Sequence, residues 1–121
     1  MVKLVIEEPE SAALEDYLTG DRALATSRIA VVEVSRATAL ANPGKQVREE
    51  VDKLLGSCML VAVTAPLLRS ARRLAGATVR TLDAIHLASA LRIEPDALVA
   101  YDRRLLAAAS EQGLTGASPG A

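Results

Sequence analysis

Thr81-Leu82-Asp83-Ala84-Ile85-His86-Leu87-Ala88 runs on without a break to Ile93, stops at Pro95, and gives way to Ala97-Leu98-Val99-Ala100-Tyr101 and then Asp102. The spacing predicts a helix over residues 82–93, capped by Thr81. Pro95 ends it, because proline has no N–H to continue the ladder. The helix is apolar nearly all round, as a buried helix is. The run that follows is short, apolar and free of alternation, and reads as a strand covered on both faces. A buried helix feeding such a strand is the unit from which a parallel sheet layered with helices is built.

Working outward, the same alternation recurs. Residues 103–112 read as a helix with Gly113 as its exit, and residues 117–121 as a flexible tail after a domain of residues 1–116. Upstream, residues 58–63 read as a buried strand. Thr64 then caps a helix to about Leu74, which Gly76 ends. Residues 45–55 form an amphipathic helix with Val47, Val51, Leu54 and Leu55 on one side. Residues 28–41 form a longer helix capped by Ser27 and stopped at Asn42-Pro43-Gly44, and residues 23–26 a short strand. Ser11 caps a helix to Leu18 that ends by Gly20. The fold class is therefore α/β. Only three strands are clear, one or two fewer than a parallel sheet of this size needs.

Composition excludes several functions. Half of the 121 residues are hydrophobic, yet there is no Trp or Phe, and only Tyr17 and Tyr101 carry rings. A protein that reads RNA by stacking bases on aromatic side chains is not built this way. The formal charge of −1 leaves no overall basic footprint, so a nucleic-acid substrate needs a local patch, a metal or a dimer groove. Cys58 is the single cysteine, which rules out an internal disulfide; inside Cys58-Met59-Leu60-Val61 it reads as a buried, inert thiol. The apolar Leu4-Val5-Ile6 is too short for a signal peptide, and no stretch approaches a membrane span. A soluble cytoplasmic protein is expected.

Most acids lie on polar faces, among them Glu7, Glu8, Glu10, Glu15, Asp16, Glu49, Glu50 and Asp52. Three do not. Glu33 interrupts an apolar helix face beside Ile29, Ala30, Ala37 and Leu40; it either pairs with Arg36 one turn on or binds something else. Asp83 stands in the first turn of a buried helix, where it either complements the dipole or serves a site. His86, on the same face one turn later, reads as a core histidine satisfied by a hydrogen bond. Asp102 follows a strand directly; it is either a cap for the next helix or a group in the crevice where α/β sheets bind ligands. The three share one edge of the predicted sheet. Gathered carboxylates repel unless a cation neutralises them, and oxygen-only donors point to Mg²⁺ or Mn²⁺.

Taken in order, Lys3 to Ser11, Ser27 to Arg36, Arg80 to Leu91 and Tyr101 to Leu105 resemble the PIN-domain family, and within it the VapC-type toxins of bacterial toxin–antitoxin pairs. The likeness covers nearly the whole chain, and Leu82-Asp83-Ala84-Ile85-His86-Leu87-Ala88 is its most specific part. The resemblance implies a three-layer α/β/α fold around a parallel sheet. It also implies a metal-dependent endoribonuclease that is usually dimeric, attacks cellular RNA such as tRNA, and is blocked by a VapB-type antitoxin. Glu33, Asp83 and Asp102 match three of the family's four acids, which hold Mg²⁺ or Mn²⁺. Ser27 matches a polar position that orients water or metal. Arg80, Arg103 and Arg104 are candidates for contact with RNA phosphate, or else simply solvated. The family's opening strand and its terminal Asp have no counterpart before Glu7. The expectation is thus a domain lacking its first, central strand: a ribonuclease clipped at its start, or an impaired relative that binds antitoxin without cutting. A receiver-like Mg²⁺ domain fits the Leu-Asp-Ala-Ile-His run poorly.

Overall fold

The computed structural model describes all residues except 21 and 75–78. The expected helix stop at Gly76 lies outside the described residues. By contact density the chain divides into two compact units: Met1–Leu60 with Pro119–Ala121, and Val61–Ser118.

The first unit opens on a 3-10 turn, Val2–Leu4, and α1, Ser11–Tyr17. The sequence suggested a cap role for Ser11. The structure buries it instead, at 1% exposure, as a clasp between the two elements. Its hydroxyl accepts from the Glu8 N–H at 2.9 Å and donates to the Lys3 carbonyl at 2.6 Å. Lys3 in turn reaches Glu8 and Glu10, each at 3.1 Å. The hydrogen bonds Lys3 donates to Glu10 and then to Glu8 raise its pKa, and accepting from Lys3 lowers that of Glu10. Removing the hydroxyl strands two part-buried backbone groups. Ser11→Ala is expected to cost about 1–3 kcal/mol, read as a lower urea midpoint at unchanged slope. An unmoved midpoint would mean that the clasp contributes nothing.

β1 (Ala25–Ser27) then leads to α2 (Ala30–Ala41), which begins two residues later than the sequence suggested. Ser27 does not cap it across a turn of helix. It is 1% exposed, and its hydroxyl accepts from the Ile29 N–H at 3.3 Å. α3 (Lys45–Gly56) follows the Asn42-Pro43-Gly44 break and packs on α2. Ala30 and Val34 meet Val51 and Leu55 there, with Met1, Val5 and Val47 alongside. Thr38, 1% exposed, satisfies its hydroxyl on the Val34 carbonyl of its own helix at 2.7 Å. β2 (Met59–Val61) pairs with β1.

The second unit holds α4 (Ala65–Ala71), α5 (Thr81–Ile93), β3 (Leu98–Val99), α6 (Arg103–Glu111) and β4 (Gly116–Ala117). Thr64 caps α4 as expected, accepting from the Leu67 N–H at 3.2 Å. Thr81, expected as a cap, is the first residue of α5; Arg80, in extended backbone, precedes it and makes no side-chain cap bond. α5 leaves through Glu94 at φ 49°. One cluster joins Val61, Leu67, Ala71 and Ala88, and another joins Leu87, Ala108 and Ala109.

β3 runs parallel to β4, with Leu98 opposite Gly116 and Val99 opposite Ala117. Strand β4 was not legible, and its second residue, Ala117, is the first of the expected flexible tail. The Ser118 hydroxyl donates to the Ala100 carbonyl at 2.6 Å. Gly120 has φ +81°, and a Cβ there would meet the Ala13 methyl at 2.8 Å. The strands are shorter than their apolar runs, because apolar residues report burial rather than pairing. Among the described residues no helix is long and apolar enough to cross a membrane.

Candidate functional site

Glu33 lies in the first turn of α2, in the first unit. Its flanks explain its half-buried state: Val34 points inward at 6% exposure, while Val32 on the other side is 60% exposed. The carboxylate stands at the border between core and water. Ser27, at the end of β1, is more enclosed, and its oxygen is engaged by the Ile29 N–H. Its first role is to set the turn into α2.

Asp83 and Asp102 belong to the second unit. Asp83 is half-buried in the first turn of α5, followed one turn later by half-buried His86. The core face of that helix is carried by Leu87 and Ala88, at 1% and 4% exposure. Asp102 is exposed and is the N-cap of α6, where its Oδ1 accepts from the Arg104 N–H at 2.8 Å. That bond uses one carboxylate oxygen and leaves the other for a second partner. Both acids stand at helix N-termini, where the dipole favours negative charge. Arg80 precedes α5, Arg103 and Arg104 open α6, and all three are exposed.

Among the described residues no three His, Cys, Asp or Glu side chains gather closely enough to hold a metal ion. The donor chemistry still suits one kind of cation. The whole chain has one thiol and one imidazole, so a zinc cage is not on offer, while the carboxylates are hard oxygen donors. Mg²⁺ keeps several waters and takes only one or two carboxylates, so oxygen donors of this kind are the type it uses. Cys58 is half-buried; burial pushes its thiol up from 9.0, which suits a structural thiol rather than a nucleophile. The hollow of about 210 Å³ at the α2–α3 turn is lined by Ser35, Thr38, Asn42 and Arg48 among others, and by none of the three acids.

Comparison with known proteins completes the description. The PIN domain model matches residues 1–111, a span that contains Glu33, Asp83 and Asp102. Ribonuclease VapC47 of Mycobacterium tuberculosis (strain CDC 1551 / Oshkosh) is 39% identical over 128 residues, covering 100% of this chain and 93% of that protein. Ribonuclease VapC46 of Mycobacterium tuberculosis (strain ATCC 25618 / H37Rv) is 38% identical over 121 residues, covering 98% of this chain and 92% of that protein. Ribonuclease VapC35 of the same species is 36% identical over 126 residues, covering 99% and 92%. No solved structure gives a significant match.

Proposed function

Because the chain belongs to the PIN-domain family, we propose that it is an endoribonuclease toxin of the VapC kind, cutting cellular RNA with the help of Mg²⁺ or Mn²⁺. One observation carries the reading. Likeness to proteins named ribonucleases extends over the full chain and includes the positions of all three singled-out acids. A VapB-type antitoxin is the partner this reading supplies, tRNA is one candidate substrate, and the active form is a cytoplasmic homodimer.

Glu33, Asp83 and Asp102 are the residues that would hold the cation. Such a cation, when bound, lowers the pKa of water and neutralises charge developing on the scissile phosphate. The chain's own share is placement. The first turns of α2 and α5 and the cap of α6 keep three carboxylates at helix N-termini. Arg80, Arg103 and Arg104 offer guanidinium groups for the flanking phosphates. Ser27, held by the turn into α2, positions the backbone from which Glu33 projects.

The test is RNA cleavage by the purified chain with Mn²⁺ and with EDTA. Cleavage that needs the metal supports the reading, and metal-independent cleavage contradicts it. A chain that captures its antitoxin but leaves RNA whole under both conditions meets the second reading, a PIN protein that binds without cutting.

A further inference from the structure

The second unit, taken by itself, is positively charged. Between residues 61 and 118 stand seven arginines and no lysine against five carboxylates, a formal +2, in a chain whose total is −1. Three of those arginines, Arg69, Arg72 and Arg73, sit where α4 ends. The helical turn outlasts the helix. The Arg72 N–H donates to the Leu68 carbonyl at 3.0 Å and the Arg73 N–H to the Ser70 carbonyl at 3.1 Å. Spacings of three and four residues therefore bring Arg72 and Arg73 onto the face of Arg69. All three are exposed, while Leu67 and Ala71 take the buried side. Across from them Arg92, exposed in the last turn of α5, lines a hollow of about 250 Å³ with Ser70, Leu74, Ala88 and Leu91.

Two bland readings compete. A helix C-terminus favours cations, which accounts for Arg69 in the last turn of α4 and for Arg92 in that of α5. Solvated surface accounts for any single arginine. Neither accounts for the crowding. Like charges at this spacing destabilise a helix, and among the described residues none of the four forms an ion pair. The choice of arginine throughout is also informative. Its planar fork matches phosphate oxygens bidentately, which an ammonium does not.

We propose that Arg69, Arg72, Arg73 and Arg92 form a phosphate-binding face that holds the backbone of an RNA strand, separate from the acid site. Naming RNA as the polyanion rests on the ribonuclease reading above. Arg92 lies nine residues beyond Asp83 on α5, roughly 13 Å along the axis. The face is therefore no part of the site at Asp83.

The experiment measures binding of a labelled single-stranded RNA by fluorescence anisotropy in EDTA, between about 50 and 200 mM salt. Each phosphate contact on a single strand contributes about 0.7 to the slope of log affinity against log salt. The variant R69Q/R72Q/R73Q is expected to lose about two from that slope, and R69K/R72K/R73K to keep it. The matched control K45Q/R48Q/K53Q on α3 is expected to leave it unchanged. A slope that is the same in wild type and in the glutamine variant overturns the proposal, as does an equal drop in the α3 control. Polyglutamate that displaces RNA with the same arginine dependence also overturns it, in favour of an acidic polypeptide partner. Failure of the nuclease reading looks different: no metal-dependent cleavage, with the slope difference intact. Cleavage retained with an unchanged slope removes the arginine face alone.

Discussion

An Asp83→Asn chain is expected to cleave RNA at least about a hundredfold more slowly than the unmodified protein, with little loss of stability. A hundredfold corresponds to about 2.7 kcal/mol of transition-state stabilisation, within the range one electrostatic group supplies at a site of this kind. The fold has less at stake. Asp83 is half-buried in the first turn of α5, and the core side of the helix is carried further on by Leu87, Ala88 and Ser89. Losing its charge there forfeits the dipole contribution, about 0.3–1 kcal/mol, while the amide keeps the shape and hydrogen-bonding capacity of the side chain. Cleavage and melting are read on the same preparation. A large loss of rate with a small shift in Tm places Asp83 in the chemistry. A small loss of rate, or a collapse of stability, makes it structural.

Asp102 permits a sharper separation, because its structural duty is known and can be kept. It caps α6 by accepting from the Arg104 N–H. Asparagine caps a helix about as well as aspartate but carries no charge. Asp102→Asn is therefore expected to preserve stability while slowing cleavage at least about tenfold, a change of about 1.4 kcal/mol in the barrier. Asp102→Ala removes the cap as well and is expected to cost about 1 kcal/mol more in stability. If Asp102→Asn cleaves like the unmodified chain and only Asp102→Ala suffers, capping is all that Asp102 does.

Local signals made the helices legible. Pro43 and Gly44 divide α2 from α3, Pro95 follows α5, and Gly113 follows α6 at φ +83°. Each break depends on one residue's own backbone limits. The caps were harder. Ser11 and Thr81 have the residue types of N-caps, but Ser11 turns back to Lys3, eight residues upstream, and Thr81 is taken into its helix. Strand β4 could not be read at all. Gly116 and Ala117 have no strand propensity, and their pairing with Leu98 and Val99 is imposed by the fold. Asp102 is the cap of α6, one of the two readings its position offered, but it stands three residues past the end of β3 rather than directly after it. The grouping of Arg69, Arg72 and Arg73 is not legible in the sequence, because it depends on a helical turn that continues past the end of α4.

Titrating Mn²⁺ into the RNA-free protein and following the heat of binding tests the proposal that the three acids share one cation, without relying on catalysis. One saturable event is expected in the unmodified chain, weakened in Glu33→Gln and lost in Asp83→Asn/Asp102→Asn. Equal binding in all three proteins, or none in the first, would contradict a common cation for Glu33, Asp83 and Asp102.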